Sequence, residues 1–422
     1  MMKGEKSHME KGVAKNIEMV AYHDLESRPG FQMAMQVVDD KWYLYLAHFW
    51  HQGWTILDIT DPTNPTYIKF VQGPGHCETN KIQIADGIMI TQLQEQIHFP
   101  GVREVDPNQA YEEGIYIWDV KDPVNPKRLS HWKTGSTGTH RNYYDGGRYV
   151  HLSAAAPGFQ GNIYRIVDIN DPTKPVEAGR WWLPDQWAAG GAEWTKPMVN
   201  LHGPAYPKGN RAFLSYSDAG LVILDISDIS LPRLVSRLDF YPPMGRPIAC
   251  HTALPLSKRD LVIVSSEGIG RKEVETKFGV KPPMPLNFAG IVDISDEKTP
   301  TLISIFPIPE PPPGAPYKNF YEKPGWFGPH NWHEPHNHPH LEDRDDRVYL
   351  TYFNAGLRVY DISDPYMPKE IAYYIPPDPK KRLGPLPMGE LSVSSEDILV
   401  DSRGYIYITD KNHGLHILRC TA

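Results

Sequence analysis

Short apolar runs alternate along the chain with polar punctuation, and one phrase keeps returning. It reads Gly53-Trp-Thr-Ile-Leu-Asp-Ile-Thr-Asp-Pro62, then Gly114-Ile-Tyr-Ile-Trp-Asp-Val-Lys-Asp-Pro123, then Ile163-Tyr-Arg-Ile-Val-Asp-Ile-Asn-Asp-Pro172. It returns as Gly220-Leu-Val-Ile-Leu-Asp-Ile-Ser-Asp228, Gly290-Ile-Val-Asp-Ile-Ser-Asp296 and Gly356-Leu-Arg-Val-Tyr-Asp-Ile-Ser-Asp-Pro365. A shorter copy, Gly414-Leu-His-Ile-Leu-Arg419, carries Arg where the others carry Asp. The β-branched run before each Asp predicts a strand. Asp-x-x-Asp-Pro predicts a tight turn, with Asp capping its own backbone and Pro fixing φ. The run after it (Thr66–Val71, Lys127–Trp132, Val176–Trp182) predicts the partner strand. Upstream of each copy lies another hairpin, such as Tyr144-Asp-Gly-Gly-Arg-Tyr-Val-His-Leu-Ser153. Two hairpins make one four-stranded sheet, and there are seven such units.

The first Asp of each full copy falls at 58, 119, 168, 225, 293 and 361. A period of about 50–70 residues is too long for most helical repeats and suits a propeller blade with variable loops. The last unit ends after its third strand, while Ile17–Tyr22 reads as a fourth strand with no sheet of its own. The expected fold is therefore all-β: a seven-bladed β-propeller whose ring is closed by an N-terminal strand completing the last blade, which removes a free edge. A boundary inside the ring would break that closure, so residues 1–422 are expected to form a single domain, with 1–15 as a flexible tail. The phrase Leu221-Val-Ile-Leu-Asp225 resembles the repeat of the LVIVD-repeat β-propeller proteins, and Phe327-Gly-Pro-His-Asn-Trp-His-Glu334 resembles a motif in many of them. The resemblance covers essentially the whole chain. It implies the fold and is weak for function.

Composition narrows the partners. Against 43 Lys+Arg stand 51 Asp+Glu, a net charge of −8, and there is no long basic run. That argues against nucleic acid and anionic membrane. No apolar stretch approaches the ~20 residues of a bilayer span, and Met1–Lys15 has no apolar signal region. A soluble, cytoplasmic protein is the expectation, with a homo-oligomer left open. Three cysteines without a CxxC pair make no disulfide framework. Cys77 and Cys250 are expected in blade packing.

Strand alternation puts the first-to-second and third-to-fourth turns on one face and all other connections on the opposite face. Nearly all the long insertions fall in the second set: Gln94–Glu113, Ala154–Asn162, Leu183–Asn200, Gly268–Ala289, Pro307–Trp332 and Pro376–Ser394. Several carry aromatic residues, including Trp194 and Trp326, as a lidded small-molecule pocket requires. On that face the start of each first strand sits nearest the axis. Counting back from the second strand gives His76, His140, His202, His251 and His333 for blades two to six, with His336 close behind. Blade seven offers Glu396 or Asp397, and blade one Gln32 or Gln36.

Imidazoles converging from distant stretches of chain suit a transition metal (Fe, Cu, Zn or Mn) more than Mg or Ca. Each histidine taken alone could instead hydrogen-bond a neighbouring blade or line a wet channel. Second strands return to the same face, so Glu267 is the first choice for a general base, with Glu78 and His48 as further catalytic candidates. Arg141, Trp194 and Trp326 are candidate substrate-binding residues. The leading expectation is a metal-dependent oxidoreductase acting on a small apolar or aromatic organic substrate. Carotenoid-cleavage oxygenases, nitrous oxide reductase and methanethiol oxidase supply the analogy, which rests on fold alone. Alternatives are a zinc- or manganese-dependent hydrolase, lyase or isomerase, or a non-catalytic propeller that binds a protein or peptide.

Overall fold

The turns after the repeat phrase form as their residues dictate. Asp58 Oδ1 accepts from the Thr60 amide at 2.9 Å. The same bond recurs from Asp119 to Lys121, Asp168 to Asn170, Asp225 to Ser227, Asp293 to Ser295 and Asp361 to Ser363, at 2.8–2.9 Å. Each carboxylate replaces water for an amide that the turn leaves unpaired.

In the computed structural model, which describes residues 12–98, 103–192, 199–240, 248–268 and 287–422, these turns join the outer strands of six of the seven antiparallel sheets. Blade one runs Gly30–Val38, Lys41–His48, Gly53–Asp58, Thr66–Gln72. Blades two to five follow in chain order. In blade six the innermost segment is reduced to a bridge between Trp332 and Leu350. Blade seven is Ser395–Val400, Tyr405–Asp410, Leu415–Cys420 and, from the other end of the chain, Ile17–His23. Ile17 pairs with Cys420 and His23 with Leu415, so the ring closes as expected. Of the tail expected over 1–15, Val13–Lys15 instead form a strand against Tyr373–Ile375, extending blade six outward.

The glycine opening the repeat phrase has a steric cause. A Cβ on Gly114 (φ +105°) would lie 2.0 Å from the Trp132 carbonyl of the next strand. Gly220 and Gly356 meet Leu238 and Tyr374 in the same way. Gly414 would meet the carbonyl of His23, at 1.9 Å, so the closing strand presses on the last repeat as an ordinary fourth strand does. Between blades, alternate side chains of facing sheets interdigitate. Met33, Leu44, Leu46 and Leu57 of blade one pack on Leu399, Tyr407, Leu415 and Ile417 of blade seven, sealing the closure. Each such side chain contributes about 1.5–3 kcal/mol by leaving water. Among the described residues no helix is long and apolar enough to cross a membrane.

Candidate functional site

A repeated irregularity builds the site. Where the inner strand of a blade begins, its pairing with the second strand slips, between Gly30 and Met33, Thr139 and Arg141, Ile248 and Thr252, and Ser395 and Ile398. Such bulges break the strict alternation of side chains. Two successive residues in each of these four blades can then turn toward the axis.

The first residue of each pair forms an upper level. His140 and His202 ring centroids are 4.5 Å apart, His202 and His251 5.0 Å, and His251 and His330 5.0 Å. Four blades thus supply an arc of imidazoles, which Phe31 and Glu396 continue: Phe31 stands edge-on to His330, and the Glu396 carbonyl accepts from His330 Nδ1 at 2.8 Å. Glu267 enters from the end of the blade-five second strand. Its Oε2 lies 3.2 Å from His202 Nε2 and 4.0 Å from His251 Nε2, and its Oε1 lies 3.7 Å from His330 Nε2. Among the described residues, His202, His251 and Glu267 are the one set of three His, Cys, Asp or Glu side chains whose donor atoms all lie within 4.8 Å of one another.

Burial holds the pKa of His202 below its ordinary value, and that of His251 well below it, where the charge of Arg141 adds to the effect. Both imidazoles are therefore neutral, with a lone pair to offer. Burial works against the Glu267 carboxylate. The hydrogen bond from His202 and the positive charges of Arg141 and Lys411 outweigh it and keep its pKa below the ordinary value. Two neutral imidazoles and one carboxylate make a donor set that takes a transition metal without first losing a proton.

The second residue of each pair forms a floor. Arg141 reaches across the channel, with Nη2 2.7 Å from His251 Nε2 and Nη1 3.3 Å from Asn331 Oδ1. Asn331 Nδ2 donates to Asp397 Oδ1 at 3.0 Å, and Asp397 Oδ2 accepts from the Met33 amide at 2.9 Å. Lys81 holds the corresponding place in blade two, its carbonyl bonded to the Gln92 amide. Above, Lys411 pairs with Glu396 and lies 4.8 Å from the Phe31 ring centre. Phe31, Phe49, Trp326, Phe353 and Leu386 form an apolar wall on the long-loop side of the arc. Next to it is an open cavity of about 600 Å³ lined by residues that include Trp50, Arg103, Arg382 and Met388. The arrangement is an axial cluster with a polar floor, a histidine side and an aromatic side.

A family model described as the LVIVD repeat matches residues 33–72, 158–181, 208–239 and 346–375, which fall in blades one, three, four and six. The chain carries LVIVD repeats on a seven-bladed β-propeller. No curated protein matches it. Among solved structures, the β-propeller domain of Cps50 (Swd1) from Myceliophteria thermophila is 10% identical. That alignment covers 95% of this chain and 99% of the other, with a TM-score of 0.55. A functionally unknown protein from Desulfotomaculum acetoxidans DSM 771 is 11% identical over 82% of this chain and 89% of its own, with a TM-score of 0.48. At such identities the likeness is one of fold.

Against this propeller's geometry the expected site residues divide. His140, His202, His251, Glu267 and Arg141 lie together at the axis, and Trp326 stands in the aromatic wall, 5.1 Å from Lys411 Nζ. His76 does not join them: it sits exposed on a turn at φ +61°, because Cys77–Glu78 pair with the far end of the second strand at Gln94–Glu95. His333 is replaced in the arc by His330. The His333 ring lies between blades six and seven, bonded to the Glu342 carbonyl at 2.7 Å and the Val400 amide at 3.1 Å. His336 lies further along the same segment, against Tyr143 and 3.3 Å from Glu334 Oε2.

Glu78 is held at the edge of blade two, accepting from Arg103 at 2.6 Å and from the Ile97 amide at 2.9 Å. His48 spends both ring nitrogens inside blade one, on the Pro29 carbonyl and Thr55 Oγ1. Trp194 lies outside the described residues. Lys81, Lys411 and Asn331 are site residues that the histidine pattern does not reveal. The position of Lys411, one residue after a second strand, was the available signal.

Proposed function

We propose that this propeller is a metal-dependent enzyme, an oxidoreductase, acting on a small apolar or aromatic organic molecule in the axial pocket. The observation that carries the reading is the convergence of His202, His251 and Glu267 within 4.8 Å. Two histidines and one carboxylate with open positions are the donor set of non-haem ferrous oxygenases. Iron held there would supply one-electron and dioxygen chemistry. The chain's own residues exclude water through Phe31, Phe353 and Trp326 and close the floor through Arg141 and Asn331. A cation shared by all three donors must displace the Arg141 guanidinium from His251 Nε2. The same donors with Glu267 as base would serve hydrolysis on zinc or manganese, so metal identity separates the two chemistries.

The test is elemental analysis of protein purified without a histidine tag, alongside the double variant His202→Ala/His251→Ala. One equivalent of iron is expected in the parent and none in the variant, with both melting cooperatively. Occupancy that survives the double substitution, or a parent that takes up none of iron, copper, zinc or manganese, overturns the reading.

A further inference from the structure

Lys81 is only 2% exposed, yet its ammonium makes no hydrogen bond and no ion pair with any of the described residues. Its Nζ stands over the Phe31 ring, 4.0 Å from the ring centre. Buried lysines ordinarily keep their charge by taking a carboxylate partner. Here the neighbouring acids are already engaged. Glu396 pairs with Lys411, and the two oxygens of Asp397 accept from Asn331 and from the Met33 amide. Glu267 faces the histidines. Arg141 and Lys411, two further cations, lie near enough for their charge to act on it.

From this geometry we propose that Lys81 is a nucleophilic amine that forms an imine with an aldehyde or ketone bound in the axial pocket. The neutral Nζ adds to the carbonyl carbon, making a C–N bond. The two amine hydrogens then leave with the carbonyl oxygen as water, and the C–N bond becomes double. No oxidant, reductant or metal is consumed. Burial, with the charge of Arg141 and against those of Glu396 and Asp397, lowers the pKa of Lys81 well below that of a surface lysine, which favours the amine form. Phe31 and the aromatic wall behind it accept an apolar or aryl body on the carbonyl. The proposal rests on reading the axial pocket as a substrate site and is independent of whether a metal binds there.

The full chain, stripped of metal with a chelator, is incubated at pH 6.5 with benzaldehyde and sodium cyanoborohydride, then digested and mapped by mass spectrometry. At that pH surface lysines are protonated, so one benzyl group per chain is expected, on Lys81. Lys81→Met, which keeps the length and apolar stem of the side chain, should lose it while melting as the parent does. Formaldehyde in place of benzaldehyde serves as a smaller probe of the same amine. Label spread over surface lysines with Lys81 unmodified by either aldehyde overturns the proposal. So does equal labelling of parent and variant. Metal content measured on untreated samples distinguishes a failure of the metal reading from a failure of this one.

Discussion

Arg141 on the third blade donates through Nη2 to Nε2 of His251 on the fifth, at 2.7 Å. This one bond closes the channel, occupies the lone pair of a candidate ligand and puts a positive charge beside the donor set. A cation near a guanidinium pays about 4 kcal/mol per unit charge at 4 Å and an effective dielectric near 20. Arg141→Gln should therefore bind Fe²⁺ or Zn²⁺ at least tenfold more tightly than the parent, measured by titration against a competing chelator. Unchanged affinity would show that the ion does not sit beside His251.

Closure of the ring can be tested at a single atom. A methyl group on Gly414 would press on the His23 carbonyl, so Gly414→Ala should cost about 3 kcal/mol and lower the melting temperature. Gly75 has open space where its Cβ would go, and Gly75→Ala should leave melting unchanged. Equal melting of the two variants would argue against a native contact between the first and last strands.

His151 is buried with Nδ1 2.6 Å from the Tyr164 hydroxyl, and burial lowers its pKa to about 4. The unfolded chain, with an ordinary histidine, binds a proton that the folded chain refuses between pH 6.5 and about 4. Stability from this residue is full above pH 6.5 and is lost as the pH falls through that window, by about 1.4 kcal/mol per unit. Denaturant unfolding of His151→Gln should show a shallower acid slope than the parent over pH 4 to 6.5.

Asp145 gives the opposite sign. Burial, with the charge of Asp86 adding, raises its pKa to about 6. The folded chain then holds a proton that the unfolded chain releases, and stability falls as pH rises from 4 to 6. Discounted for partial exposure, Asp145→Asn should be more stable than the parent by about 1 kcal/mol at pH 7.5. The difference should vanish below pH 4, as read from melting curves at the two pH values.

The third strand and its turn could be read from sequence because their causes are local. Gly114 faces a carbonyl of the adjoining strand, and Asp119 bonds an amide two residues on. The seam between Ile17–His23 and Leu415–Cys420 was also legible, as two incomplete units that complement each other. The arc was legible in blades three to five, where the inner and second strands are joined by short turns. Blade two failed because Cys77–Glu78 extend the second strand's pairing and displace His76 outward. Blade six failed because three histidines lie within seven residues. Only the hydrogen bonds that set Asn331 opposite Thr351, twenty residues downstream, decide for His330. Arg141 and Asp397 were separate candidates, and their union through Asn331 was not legible because it runs through side chains from three different blades.

The slipped pairing at the start of the inner strands bears on how such a protein could change. Where a blade presents adjacent side chains to the centre from a locally irregular backbone, a substitution alters reactivity without disturbing the interlocked layers that keep the ring together. Such positions can be varied one at a time, and the same scaffold could come to host different chemistries through a handful of codon changes around a single opening.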